Sequence, residues 1–200
     1  MAETITTQVV GKVQVPAGAT KESTAPHGHR YTSHISRPYD DVAPEIQDLV
    51  RTVMGLYSRA SFSTDDGQKI LLRFVHNAVW DTPLFFARGT ERMRVLARGL
   101  GLPFWRVGTT PRLVTVSMVN DALGRIVVEG VLEFYPRLPW PLSAVAPESF
   151  PLHVSWSIIA RGEDDRIMSV TESLHNVPKV PYVVRAAAAT ALSTAALTVF

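Results

Sequence analysis

The sequence predicts an α+β domain in which three helices precede an antiparallel sheet that curls around them. Two observations carry that prediction. Apolar residues recur at three- and four-residue spacing in the first half, and from Pro111 onward the period changes to two. Polar turn segments such as "NDALGR" and "RGEDDR" join the alternating runs, as hairpins in a meander require. Two hundred residues suffice for one such domain with tails, and a composition 46% hydrophobic and 19% charged is that of a globular chain.

Residues 1–40 are rich in Thr, Ser, Gly, Pro and His without a sustained period, and read as a disordered tail. The folded domain is expected over 41–177. Its first helix lies in "DDVAPEIQDLVRTVMGLYSR", where Val42, Ile46, Leu49, Val50, Val53, Leu56 and Tyr57 form one apolar face. Asp40 or Asp41 is expected to cap it, with Pro44 in the first turn. A short second helix follows in "STDDGQKILLRFVH", with Ile70, Leu71, Phe74 and Val75 inward. One or two short strands come next around Asp81. "TERMRVLARGLG" predicts the third helix, capped by Thr90, buried through Met93, Leu96, Ala97 and Leu100, and stopped at Gly99 or Gly101.

Four strands are predicted in "RLVTVSMV", "GRIVVEGVLEFY", "LHVSWSIIAR" and "RIMSVTESLH". In the second, Ile126, Val128, Leu132 and Phe134 share one face, while Val127, Glu129, Val131, Glu133 and Tyr135 share the other. In the third, Leu152, Val154, Trp156 and Ile158 oppose His153, Ser155 and Ser157. Residues 178–200 are expected to form an apolar C-terminal helix, in which Arg185 is the only charge from Val183 onward. Eighteen residues sit at the lower limit for spanning a bilayer, and Ala and Thr add little hydrophobic drive. That helix therefore packs on the domain or a dimer partner, or touches a membrane surface.

Composition narrows the function classes. Without Cys there is no thiolate metal site, disulfide or Cys nucleophile. A net charge of +2, with no RNA-binding or zinc-finger signature, does not point to nucleic acid. No GxGxxG or P-loop marks a nucleotide site, and no cofactor is expected. His27, His29 and His34 cluster without a carboxylate among them, so no physiological metal is assigned. The start lacks a signal-peptide core, which sets a cytoplasmic location, with peripheral membrane contact as the variant. That variant draws on six Arg between residues 88 and 112 against Glu91 alone, and on Trp105 and Trp140 beside Pro and Arg. The same Arg residues equally describe a solvated helix face.

The informative stretch is "AVWDTPLFFARGTERM". Asp81 interrupts an apolar run containing Trp80, Phe85 and Phe86, and burying a carboxylate there is costly unless it is paired, protonated or functional. Asp81 is either a turn acceptor before Pro83 or the working carboxylate of a pocket. His76 and His153 are polar candidates for the same pocket, and equally ordinary rim or core histidines.

The order helix, helix, short strand with "WDTP", helix, four long antiparallel strands resembles the nuclear transport factor two-like superfamily, over roughly 41–177. That resemblance implies a cone-shaped curved sheet packed on three helices, as in ketosteroid isomerase, scytalone dehydratase and SnoaL-type cyclases. "EFYPRLPWPLS" and "LHVSWSIIARGEDDRIMSVTESLHNVP" further resemble eukaryotic SigF-like members, whose activity is unassigned. Carried over residue by residue, the isomerase resemblance implies Asp81 as general base and Tyr57 as an oxyanion donor, with His76 assisting as in a dehydratase. No Asp occupies the later strands, where Ser155, Ser157, Thr171 and Ser173 are available instead. Three readings compete. The first is a non-catalytic module holding a small apolar ligand against Trp80, Phe85, Phe86, Trp105, His153 and Trp156. The second is an isomerase, dehydratase or cyclase. The third is a scaffold dimerising through Val127, Val131 and Tyr135, and homodimers are frequent in the superfamily. The binding module ranks first.

Overall fold

The computed structural model describes residues 36–58, 65–100, 102–138, 147–175 and 181–199. Strand β1 (Arg37–Pro38) and a 3-10 turn (Tyr39–Asp41) lead into helices α1 (Pro44–Gly55) and α2 (Asp65–Leu72). Strands β2 (Phe74–Asp81) and β3 (Phe86–Arg88) form a hairpin before α3 (Thr90–Leu100). Then come β4 (Phe104–Asn120), β5 (Leu123–Pro136), β6 (Phe150–Arg161), β7 (Ile167–Leu174) and helix α4 (Tyr182–Val199). The strands make one sheet in the order β1-β4-β5-β6-β7-β2-β3. The expected meander β4 to β7 is antiparallel throughout, and β2 joins its far edge parallel to β7.

Alternation decides which face is core. Ile126, Val128, Leu132, Val154, Trp156, Ile158 and Val170 are fully buried on the inner face, in one core with Leu49, Val50 and Val53 of α1 and Leu56 just after it. The face expected for each β5 and β6 residue is the face observed. The register of β4 on β5 slips near Phe104, at Pro111 and near Asn120, and each slip bends the strand. Pro111 lacks the N–H that an unbroken ladder needs, so it lies at one of these bulges. It was expected to begin the strand; instead β4 extends back to Phe104 and includes Trp105. Trp140, singled out with it, falls outside the described residues, as do His27, His29 and His34.

Other expectations are corrected at the helix ends. Pro44 opens α1, but Ala43 occupies the cap and its carbonyl accepts the N–H groups of Ile46 and Gln47. Asp40 and Asp41 belong to the preceding turn. Gly89, not Thr90, caps α3, its carbonyl accepting the Met93 N–H. The second helix ends at Leu72, so Phe74 and Val75 lie in β2. Pairing also begins ahead of residue 41, since Arg37 and Pro38 face Val114 and Leu113.

Gly99 does not stop α3. It is a notch in which α4 rests, because a Cβ there would lie 2.7 Å from Cγ of Leu192. Helix α4 packs on α3 and β3 with Arg185 and Ala189 buried, while Tyr182, Val183 and Val184 are exposed. No helix among the described residues is long and apolar enough to cross a membrane.

At the main bend, Gly130 allows the two strands to approach. A Cβ there would meet the Thr110 carbonyl at 2.4 Å and the Trp156 ring at 3.0 Å. Gly130→Ala is therefore expected to cost about 3 kcal/mol, the upper end for overpacking a rigid site. A lowered urea midpoint with an unchanged slope would bear this out; an unchanged midpoint would refute it.

Candidate functional site

Helix α1 ends by sending Tyr57 into the cone, where β6 and β7 present Trp156 and Glu172 side by side in register. Trp156 Nε1 donates to the Tyr57 hydroxyl oxygen at 2.9 Å, and the Tyr57 O–H donates to Glu172 Oε2. Tyr57 and Glu172 are each 5% exposed and Trp156 is fully buried. The Tyr57 ring meets Trp80 and Trp156 edge-on, with centroids 5.7 and 6.3 Å apart. The Trp80 Nε1 proton, buried without a hydrogen-bond partner, faces the same phenol.

This chain of hydrogen bonds forms the floor of a cavity of about 250 Å³. Its walls are Leu84 and Phe85 from the β2–β3 turn, Leu100 of α3, Phe104 of β4, Phe134 of β5, Phe150 and Leu152 of β6, and Leu174 of β7. Leu84 and Phe150 are also exposed and mark the mouth. Among the described lining residues, Tyr57, Thr82 and Glu172 are those with polar side-chain atoms. The Thr82 hydroxyl is occupied by its own turn: it accepts the Phe85 and Leu84 N–H groups at 2.9 and 3.2 Å and donates to the Phe85 carbonyl at 3.2 Å.

Asp81 lies elsewhere. Consecutive strand residues point to opposite faces, so with Trp80 in the core Asp81 projects outward. There Nη1 of Arg185, from α4, donates to Asp81 Oδ1 and to the Thr82 carbonyl, the latter at 2.8 Å. Phe86, its partner on β3, packs on Tyr182 of α4 at 5.2 Å, on that same outer side. The carboxylate expected at the pocket therefore helps to hold the C-terminal helix. His76 is exposed. His153 is exposed on the outer face, its ring stacked 6.4 Å from His175. Trp105 is 53% exposed and packs on Tyr135. Of the nine residues singled out, Tyr57 and Phe85 line the cavity, and Trp80 and Trp156 back it.

Glu172 is not among the residues expected at the pocket, although its strand carries a signal. Val170, Glu172 and Leu174 share one face by alternation, which places a carboxylate at a core position. The alternatives considered, Ser155, Ser157, Thr171 and Ser173, lie on the opposite face. Among the described residues no group of three or more His, Asp or Glu is placed to hold a metal ion.

Burial raises the Tyr57 pKa well above the ordinary tyrosine value, and the charge and hydrogen bond of Glu172 raise it further; the Trp156 hydrogen bond opposes this. The folded chain thus keeps a proton that the unfolded chain loses above about pH 10. The associated stability is complete below pH 10 and falls as pH rises toward the folded value. Relative to Tyr57→Phe, the wild type should lose about 1.4 kcal/mol of stability per pH unit above 10. Urea titrations of both chains between pH 9 and 11 would check this, and parallel curves would contradict it. Separately, Asp81→Asn should cost about 2 kcal/mol, the scale of a charge-assisted hydrogen bond, and expose α4 to proteolysis. Unchanged cleavage within 181–199 would remove Asp81 from that role.

No family model matches the chain, and no curated protein matches it. Solved structures do. A candidate scytalone dehydratase from Novosphingobium aromaticivorans matches with a TM-score of 0.50 and 11% identity, over 68% of this chain and 88% of that one. A hexachlorocyclohexane dehydrochlorinase from Novosphingobium barchaimii matches with a TM-score of 0.52 and 9% identity, over 68% and 92%. A nuclear transport factor two-like protein from Anabaena variabilis shows 17% identity and a TM-score of 0.47, over 68% and 90%. At these identities the likeness is one of fold, and the fold is the nuclear transport factor two-like cone.

Proposed function

We propose that this cone binds a small, mainly apolar molecule with its polar end on the Tyr57–Glu172 pair. The observation that carries the reading is the cavity itself, apolar over almost its whole wall and polar at its floor. Protein ligand sites are built this way, with a few polar groups fixing orientation inside an apolar cleft. About 250 Å³ lies below the usual range for drug-sized ligands, which favours a short chain or a single ring system over a whole phospholipid.

One observation supports a second reading, in which the site performs proton transfer. A carboxylate and a phenol share one hydrogen bond inside an apolar cavity, an arrangement suited to acid–base work. In that reading Glu172 takes the part expected of Asp81, because it is Glu172 that meets the cavity. Asp81 and His76 have no place in it, one engaged by Arg185 and the other exposed.

Linear alkanols from butanol to decanol test the binding reading by titration calorimetry. Each added CH₂ is expected to contribute about 0.8 kcal/mol, roughly fourfold in affinity, until the cavity is full. Leu152→Trp, which fills the wall, should abolish the binding. No measurable binding by any alkanol, or an affinity indifferent to Leu152→Trp, would overturn the reading.

A further inference from the structure

We propose that helix α4 and the arginines beside it form a docking surface for an anionic lipid bilayer. The inference is independent of the cavity and rests on the outer side of the β2–β3 hairpin.

Helix α4 has a single charged residue, Arg185, which is buried and engaged by Asp81 and the Thr82 carbonyl. Its outward side therefore carries no charge. In its first turn Tyr182, Val183 and Val184 are 57%, 76% and 55% exposed, and the exposed Ala187, Ala188 and Ala191 follow. The hydroxyls of Thr190 and Thr194, also exposed, donate back to the helix carbonyls of Ala186 and Thr190. A helix whose outer side meets only water ordinarily places charged or polar residues there. Bulky apolar side chains exposed within one turn mark a contact surface instead.

Charge says what covers that surface. Phe86 packs on Tyr182, and by alternation Arg88 stands on the same side of β3 as Phe86. Arg92, in the first turn of α3, lines a groove of about 320 Å³ against Tyr182, Ala186 and Thr190 of α4. Both arginines are exposed, and neither has an ion pair or side-chain hydrogen bond among the described residues. Glu91, the carboxylate of the groove lining, is already paired with Arg94. An uncharged apolar helix side flanked by unpaired cations complements a bilayer with anionic headgroups. The apolar residues enter the boundary between headgroups and acyl chains, Tyr182 sits at its level, and the guanidinium groups meet phosphate. A second copy of this chain fits less well, because a symmetric contact through α4 brings the same unpaired arginines to the interface from both sides. No described helix is long and apolar enough to cross a membrane, so α4 is placed on the bilayer surface.

The test is co-sedimentation of the full chain with vesicles of phosphatidylcholine alone, or of phosphatidylcholine and phosphatidylserine in equal parts. At low salt the mixed vesicles are expected to bind at least tenfold more tightly, and added salt should narrow the difference. Arg88→Gln with Arg92→Gln should cost about 25-fold on the mixed vesicles, roughly fivefold for each basic residue. Val183→Glu with Val184→Glu, at exposed positions, should lower binding at least tenfold. Equal binding to both vesicles, or no binding to either, would overturn the proposal on the wild-type chain alone. Binding indifferent to the valine pair would overturn the part given to α4. A dimer that dissociates on the valine change, with no binding to vesicles, would assign the surface to a second copy and overturn the proposal.

Discussion

The concave face of the sheet carries a continuous layer of Ile, Val, Leu and Trp side chains, and something has to cover it. Helix α1 does so with Leu49, Val50 and Val53, joined by Leu56 at its C-cap, all nearly inaccessible to water. Within this apolar contact a polar connection joins the helix end to the sheet, from Trp156 through Tyr57 to Glu172. A buried indole N–H, phenol and carboxylate would each be costly alone, and in series each satisfies the next. The connection joins residues 99 and 115 positions apart, so it exists only when β6 and β7 are paired and α1 is seated on them. Two of these side chains, Tyr57 and Glu172, also bring polar atoms to the cavity.

The outer side of the β2–β3 hairpin obeys a different constraint. A strand whose inward residues are Ala78 and Trp80 must turn Asp81 outward, where an apolar helix arrives with a single cation. Arg185 meets Asp81 and the Thr82 carbonyl together, and the Thr82 hydroxyl closes the turn that carries Leu84 and Phe85 into the cavity wall. The C-terminal helix is thereby tied mechanically to one side of the cavity mouth. Such a pair serves orientation more than net stability, since desolvating two charges offsets much of their attraction.

Much of the domain is readable from pattern. The change from helical spacing to alternation locates the sheet, and alternation alone assigns Trp156 and Ile126 to the core. Element ends are less legible. Pro111 marks a bulge and not a beginning, because the strand bends there, and Gly99 admits Leu192 and does not end its helix. Both are local breaker residues whose meaning depends on a distant neighbour. The site shows the same division. Tyr57 is recognisable on the apolar face that ends the first helical segment, while Glu172 stands on its strand between Thr171 and Ser173 with no motif to mark it.

By itself the sequence determined the α+β class, the inner and outer faces of β5 and β6, the absence of thiol chemistry and the polar candidates available to a pocket. These depend on periodicity and composition, which are local. Tertiary structure alone decided which carboxylate meets the cavity. Alternation puts Glu172 on the face of Val170 and Leu174, but nothing local says that its partner there is Tyr57, or that Asp81 will face Arg185. That depends on which face of each strand the sheet turns toward α1, and on where an apolar helix a hundred residues away comes to rest.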